Sequence, residues 1–200
     1  MNKREQRCAG VTELRIEAQE CGGLPVIEGH AAVFDSLSQD LGFLFPFKER
    51  ISRGAFKASV DRDDRRALWN HDANYVLGRN RAGTLELAET AKGLLVRIHP
   101  PETTWAKDLT ESIKRGDVTQ MSFGFVVERE TWTVENGEDI RTLEQVKLYD
   151  VSPVTFPAYL DTDVGVRSAL DTYNKYKQEK AQKRAEFERL KNKFVKLEDK

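Results

Sequence analysis

Residues 120–128 read Gln-Met-Ser-Phe-Gly-Phe-Val-Val-Glu, and this alternation predicts a β-strand with two unlike faces. One face carries the large apolar side chains and is expected in the hydrophobic core: Met121, Phe123, Phe125 and Val127. Ser122 and Gly124 share the opposite face. Because glycine has no side chain, we expect open space around the Ser122 hydroxyl, in which a substrate backbone could lie against Gly124. The structural alternative is a serine on a thinly covered strand face.

The rest of the body also has the pattern of a sheet protein. Short β-branched or alternating runs predict further strands at residues 11–20, 26–34, 84–90, 94–98 and 145–151. Residues 54–62 and 105–115 are predicted to be helical, and Gly116 is expected to end the second helix. Many strands with few helices predict a mostly β (α+β) fold, a small closed β-barrel flanked by helices. Residues 35–50 are expected to form a long loop.

The end of the chain has a different composition. Residues 168–200 contain ten Lys or Arg and six Asp or Glu, a charge of +4, which leaves −5 for residues 1–167 out of the total of −1. Its apolar residues recur on one helical face: Phe187, Leu190, Phe194 and Leu197. We therefore predict one domain at residues 1–167 and a charged helical tail at 168–200. This tail is either a solvated appendage or a helix that meets a partner.

Composition argues against several classes of protein. The 32 Lys and Arg balance 33 Asp and Glu, so direct nucleic-acid binding through bulk positive charge is not expected. No apolar run approaches the roughly 18 residues of a membrane span, and no secretory signal is visible, so we expect a soluble intracellular protein without membrane association. Cys8 and Cys21 are too few for a disulfide scaffold. Three widely spaced histidines do not predict a metal site, and no cofactor is expected.

Two further polar residues stand where chemistry is plausible. His71 follows an apolar run and precedes a polar turn, which predicts a partly exposed imidazole at the end of a strand. Asp150 alternates with Val146 and Leu148 and is therefore expected on their apolar face. A buried carboxylate requires a partner, and an imidazole would satisfy it. The structural alternative is that Asp150 caps the backbone of the turn at residues 152–157.

Ser122, His71 and Asp150 together supply the parts of a nucleophile, base and orienting carboxylate. A hydroxyl is nearly inert at neutral pH, so an adjacent imidazole must take its proton. A rival hypothesis is an RNA-binding strand, because Phe123-Gly124-Phe125-Val126 matches the centre of the RNP1 signature. In that comparison Met121 replaces the required basic residue, and no basic surface accompanies the strand.

Several motifs in order resemble the prohead (capsid maturation) serine proteases of tailed bacteriophages. The resemblance runs from about Val26 to Val166, and the most specific blocks are Asn70-His71-Asp72, Met121-Ser122-Phe123-Gly124-Phe125 and Val-Ser-Pro-Val-Thr-Phe-Pro-Ala at residues 151–158. It implies His71 as base, Ser122 as nucleophile and Asp150 as third member. His99 and Glu144 are the alternatives for that third position. Gly124 and Asn70 are expected to contact the substrate.

The resemblance also implies a biological role. Such a protease enters the immature capsid (prohead) in the host cytoplasm and cuts scaffold protein or the scaffold-like segment of the major capsid protein, and also itself. A small barrel similar to that of herpesvirus assembly proteases is implied, and analogy with those proteases suggests a homodimer. The tail would then either dock on scaffold or capsid protein or be removed by self-processing. The alternative function is a non-catalytic assembly or scaffold factor in which the triad has lapsed.

Overall fold

The computed structural model describes residues 4–8, 14–18, 23–41, 46–156 and 163–198. These ranges hold ten β-strands: β1 Glu5–Cys8, β2 Arg15–Glu17, β3 Val26–Val33, β4 Lys48–Ile51, β5 Arg66–Trp69, β6 Asp72–Arg79, β7 Leu85–Glu89, β8 Gly93–Ile98, β9 Gln120–Glu135 and β10 Glu138–Val154. They also hold three α-helices: α1 Lys57–Arg62, α2 Thr104–Arg115 and α3 Asp163–Glu198.

The described strands form two sheets. The first has the order β1-β9-β10-β5-β6, with β4 also paired to β10, and the second has the order β2-β3-β8-β7. The long antiparallel hairpin of β9 and β10 forms the centre of the first sheet. Asn136 and Gly137 join these strands with φ of 52° and 85°, the left-handed backbone that two-residue hairpin turns require.

The prediction of a mixed α+β fold dominated by sheet is therefore confirmed. The expected closure into a small barrel is not confirmed, because the described strands are divided between two sheets rather than joined into one closed ring. A strand count does not determine how strands pair, so it could not distinguish these two arrangements.

One hydrophobic core joins residues of both sheets and the short helices. Phe56 stands just before α1, and its ring meets that of Phe123 edge-on at a centroid distance of 5.3 Å. Phe34, just after β3, approaches the ring of Phe56 at a centroid distance of 6.1 Å, and Phe125 stacks on Phe123 at 4.9 Å. The apolar face of β9 is thereby held in the interior. Its opposite face is free to carry polar side chains.

Most of the predicted elements agree with the structure. The strands predicted at residues 26–34, 84–90 and 94–98 correspond to β3, β7 and β8, and the two predicted helices correspond to α1 and α2. β9 and β10 are longer than predicted. Gly116 ends α2 with a φ of 83°, a left-handed position that favours glycine.

Other elements were not predicted. β1, β4 and β6 carry too few alternating apolar residues to be recognised, and β4 lies at the end of the expected loop at residues 35–50. β5 corresponds to the strand that was expected just before His71. Only β2 is described as strand within the stretch predicted at residues 11–20, part of which lies outside the described residues.

The chain divides into two compact units, Met1–Val166 and Arg167–Lys200. Helix α3 begins at Asp163, a few residues before the predicted start of the tail. On its predicted apolar face, Phe187 is 65% exposed and Leu190 is 48% exposed. The side chains of Phe194 and Leu197 lie outside the described residues. None of the helices in the described part of the chain is long and apolar enough to cross a membrane.

We predict that Phe56→Ala lowers the free energy of unfolding by about 3–5 kcal/mol, because it leaves a cavity beside the two buried rings of Phe34 and Phe123. Urea denaturation followed by circular dichroism measures this change. Phe187→Ala is the matched control, and its exposed ring should contribute less than about 0.5 kcal/mol. Equal losses for the two variants would contradict the assignment of Phe56 to the core.

Candidate active site

A tight turn between β5 and β6 carries His71. Trp69 pairs with Asp72 across this hairpin, and the two residues between them, Asn70 and His71, have φ of 54° and 59°. A positive φ is uncommon for residues other than glycine, although asparagine and histidine adopt it more readily than most. The turn thus projects the imidazole from a rigid sheet edge.

Asn70 fastens this turn to the end of β10. Its backbone N–H donates to the Pro153 carbonyl at 3.0 Å, and its Oδ1 accepts the Thr155 N–H at 2.8 Å. Its Nδ2 also donates to the Thr155 hydroxyl at 3.3 Å. These contacts position the residue next to His71. A contact between Asn70 and substrate stays a prediction.

A β-bulge determines where Asp150 points. Leu148 pairs with Phe125 on β9, but Asp150 pairs with the next residue along, Gly124, so Tyr149 is an extra residue on β10. Each β-bulge of this kind reverses the alternation of the strand that contains it. Asp150 therefore lies on the Gly124 face of the sheet rather than the core face.

The expectation that Asp150 shares the apolar face of Val146 and Leu148 is thus wrong. Alternation assumes an uninterrupted strand, and the extra residue at Tyr149 breaks that assumption. Beyond the bulge Val151 returns to the core, and Ser152 lies on the same face as Asp150, directly opposite Ser122.

The structure brings the three predicted residues into one hydrogen-bonded row. The Ser122 Oγ lies 2.7 Å from the Nε2 of His71, and the Nδ1 of His71 contacts the Oδ2 of Asp150. Because a carboxylate accepts hydrogen bonds, Nδ1 carries the proton in the neutral ring. Nε2 is then the acceptor that faces Ser122.

Ser152 was not recognised in the sequence. Its hydroxyl donates to the Oδ2 of Asp150 at 3.1 Å and lies 3.4 Å from the Nδ1 of His71. Its spacing of two residues from Asp150 was the available signal, since residues i and i+2 share a strand face. Ser152 therefore helps to hold the carboxylate that orients the imidazole.

The row is buried. Ser122 is 0% exposed and Asp150 is 1% exposed, while 9% of the His71 side chain is exposed. Burial, and secondarily the positive charge of Arg4, lower the pKa of His71 to about 4. The imidazole is consequently neutral at pH 7, the state in which it can accept a proton.

The expected open space beside Gly124 is filled in the structure. The Oδ1 of Asp150 and the guanidinium of Arg4 form an ion pair there, with Oδ1 accepting no hydrogen bond of regular geometry. A Cβ on Gly124 would lie 2.9 Å from the Nη2 of Arg4 and closer still to Asp150. Glycine is therefore required for this ion pair, and both the expected open space and the alternative of a thinly covered face are wrong.

The N-terminal strand β1 provides the cover. It pairs antiparallel with β9, with Cys8 opposite Ser122 and Arg7 opposite Phe123. The carbonyl of Arg7 accepts a hydrogen bond from the Ser122 hydroxyl at 2.9 Å. The sequence Glu-Gln-Arg-Cys carries no apolar alternation that could have predicted this strand.

The alternatives for the third member lie elsewhere. The Nε2 of His99 pairs with Glu86 at 3.0 Å, and Glu144 accepts from Arg129 at 2.8 Å. Neither contacts His71 in the structure, so Asp150 holds the position beside the imidazole. Among the described residues, no group of three or more His, Cys, Asp or Glu could bind a metal ion.

The RNA-binding alternative is wrong. Phe123 and Phe125 are fully buried in the core, so their rings cannot stack on bases.

A hydroxyl, an imidazole and a carboxylate in this order have the arrangement that serine hydrolases use. Residues 12–178 match the sequence model of the caudovirus prohead serine proteases, and the chain belongs to that family. The prediction of a phage prohead protease is confirmed at this level.

The chain is also similar to two proteins that are described by name. The chain is 27% identical over 162 residues to the prohead protease of Enterobacteria phage HK97, an alignment that covers 80% of this chain and 67% of that protein. It is also similar to the structure of the bacteriophage T4 capsid assembly protease, with a TM-score of 0.45 and 14% identity over 76% of this chain and 98% of that one.

We predict that His71 makes stability depend on pH. Between pH 6.5 and about 4 the unfolded chain binds a proton at this side chain while the folded chain does not, so stability is lost as the pH falls through that window. The advantage of the wild type over His71→Gln should shrink by up to about 3 kcal/mol from pH 7 to pH 4. Urea denaturation at several pH values tests this, and parallel profiles for the two proteins would contradict it.

We also predict that Gly124→Ala is destabilising by about 1–3 kcal/mol, because the added methyl group displaces Asp150 and Arg4. The control is a double-mutant cycle with Arg4→Ala, which removes one of the two displaced groups. The double variant should lose less stability than the sum of the single losses. Strict additivity would show that the two sites are not in contact.

Proposed function

We propose that this chain is a serine endopeptidase that acts by acyl transfer, with Ser122 as nucleophile, His71 as base and Asp150 as the orienting carboxylate. The observation that carries the proposal is the continuous row from the Ser122 Oγ through both ring nitrogens of His71 to Asp150. Membership in the prohead serine protease family supports it.

The chemistry follows from this row. The Ser122 Oγ attacks the carbonyl carbon of the scissile bond while Nε2 of His71 takes the hydroxyl proton. The imidazolium is stabilised by Asp150 and then gives this proton to the leaving amine as the C–N bond breaks. Water hydrolyses the resulting ester by the same proton path, which restores Ser122.

Two neighbouring residues support the catalytic geometry. Ser152 donates to Asp150 and so restricts the rotation of the carboxylate. Asn70 holds the turn that carries His71 through its bonds to Pro153 and Thr155. We assign both as positioning residues, and Gly124 as the position that leaves room for the carboxylate of Asp150.

The proposed substrates are scaffold protein or the scaffold-like segment of the major capsid protein, with cleavage of the chain itself in addition. The relatives support this role, since one is named a prohead protease and the other a capsid assembly protease. The site of action would be the immature capsid in the host cytoplasm. Within the chain we assign residues 1–167 to the protease domain and 168–200 to the charged helical tail.

We predict that Ser122→Ala and His71→Ala each lower proteolysis by about 10⁴-fold or more. Asp150→Asn should cause a smaller loss of about 10²-fold or more, because the imidazole loses its orienting charge. Co-expression with the scaffold and major capsid proteins of the same phage, followed by gel electrophoresis and mass spectrometry, measures the cleavage.

His99→Ala is the matched control, because this histidine pairs with Glu86 and has no contact with the row. It should process the capsid precursor at the wild-type rate. Normal processing by Ser122→Ala would overturn the proposal, and a loss in His99→Ala equal to that in His71→Ala would remove the assignment of the base.

A further inference from the structure

Strand β1 lies where an extended substrate would lie. It pairs antiparallel with β9, and the Arg7 carbonyl accepts a hydrogen bond from the Ser122 hydroxyl. The peptide bond from Arg7 to Cys8 is thereby held at the proposed nucleophile. Addition of a strand to an exposed sheet edge is a common way of binding peptides, because the main chain supplies the hydrogen bonds whatever the sequence.

This strand also closes the site. Ser122 is 0% exposed, and its single hydroxyl proton has two acceptors within reach, His71 Nε2 at 2.7 Å and the Arg7 carbonyl at 2.9 Å. A hydroxyl that donates to Arg7 is not donating to His71. A second peptide could therefore reach Ser122 only after β1 has left.

We propose that β1 is an intramolecular stand-in for the substrate, which keeps the protease latent and marks the edge of β9 as the substrate-binding strand. This inference rests on the proposed function of the Ser122 row. It adds a bound strand, a mode of regulation and a substrate preference to that function. β1 precedes residues 12–178, the part of the chain that matches the family.

The side chain of Arg7 indicates the preference. It is buried, and its guanidinium donates to both carboxylate oxygens of Glu49, at 2.8 and 3.1 Å, and to Glu5 at 2.7 Å. A bidentate pair of this kind favours a guanidinium geometrically as well as electrostatically. Glu49 on β4 would thus bind the basic side chain of the substrate residue that immediately precedes the scissile bond.

Arg141 on β10 would bind an acidic side chain of the substrate in the same way. Its Nη1 donates to Glu5 at 3.0 Å and to Glu49 at 3.0 Å, and its Nε and Nη2 bind Glu130. Glu5 stands two residues before Arg7, so it shares that face of the strand. The preferred substrate therefore carries an acidic residue two positions before a basic one, followed by the cleaved bond.

The charges of this cluster favour the replacement of β1 by a substrate strand that carries the same two charges. β1 contributes one acidic and one basic side chain, Glu5 and Arg7, which sum to zero. A substrate with the same pair leaves the charges around Glu49 and Arg141 as they are. A substrate with an acidic residue in the place of Arg7 would instead bring a carboxylate against Glu49 in a buried setting, which is unfavourable.

Arg4, just before β1, lowers the reactivity of the row in a second way. Its guanidinium pairs with the Oδ1 of Asp150, so part of the negative charge that would stabilise a protonated His71 is already neutralised. Burial and the charge of Arg4 together lower the pKa of His71. Departure of β1 would remove Arg4 as well and leave Asp150 to His71 and Ser152.

The test is the rate at which a fluorophosphonate labels Ser122 in the full-length chain. Arg7→Glu places a carboxylate against Glu49 and should release β1, which raises the labelling rate by about tenfold or more. Arg7→Lys keeps the positive charge and should stay closer to the wild-type rate. Arg129→Glu is the matched control, since it makes the same charge change in an exposed ion pair with Glu144.

Peptides test the preference without any variant of the strand. One carries the sequence of residues 3–10, and its analogue has Glu in the place of Arg7. The first peptide should slow fluorophosphonate labelling of the wild-type chain at a concentration at least about tenfold lower than the second requires for the same effect. Equal doses would overturn the assignment of Glu49, even if Arg7→Glu does not fold.

The outcomes separate this inference from the function on which it rests. If the wild type is labelled as fast as a folded Arg7→Glu variant, while Ser122→Ala is not labelled, the protease assignment stands and the latent strand is overturned. If none of the folded proteins is labelled at Ser122, the proposed function itself fails. Faster labelling in Arg7→Glu but not in Arg129→Glu supports both the protease assignment and the latent strand.

Discussion

The buried carboxylate of Asp150 is the constraint on which the site depends. At 1% exposure it has almost no contact with solvent, and a charge buried without partners costs several kcal/mol. Three groups share it: the imidazole of His71, the hydroxyl of Ser152 and the guanidinium of Arg4. The bulge at Tyr149 turns the Asp150 side chain toward Gly124, and the missing side chain of Gly124 leaves space for the carboxylate.

The sequence indicated the parts of the site better than their positions. Ser122 and His71 stood out because a polar group in an apolar strand, or at its end, requires an explanation, and the alternation of β9 placed Phe123 and Phe125 correctly in the core. The face of Asp150 was mispredicted, because a bulge adds one residue and has no reliable signature in a single sequence. Ser152 could have been found from its spacing to Asp150.

Strand β1 and its ion pairs could not have been predicted in the same way. Hydrophobic periodicity detects elements that bury apolar side chains, whereas β1 is held by its backbone and by charges. Although burial opposes ionisation, Arg7 and Arg141 lower the pKa of Glu49, and Glu49 and Glu5 raise that of Arg141. Partners distant in sequence supply these charges, so they become visible only when the sheet has formed.

Attachment by charges rather than by an apolar face has a consequence for a latent enzyme. A buried ion pair adds little net stability, because desolvation offsets most of the attraction, so a strand held in this way can be exchanged for another with matching charges.

β1 is tethered to β2 through residues 9–14, and a short tether gives an effective concentration on the order of millimolar. A substrate strand competes only when its own local concentration approaches that value. For the proposed capsid or scaffold substrates, packing of many copies inside one shell would raise the local concentration toward this value, whereas dispersal of the same copies would lower it. Confinement would therefore select when and where the proposed protease acts.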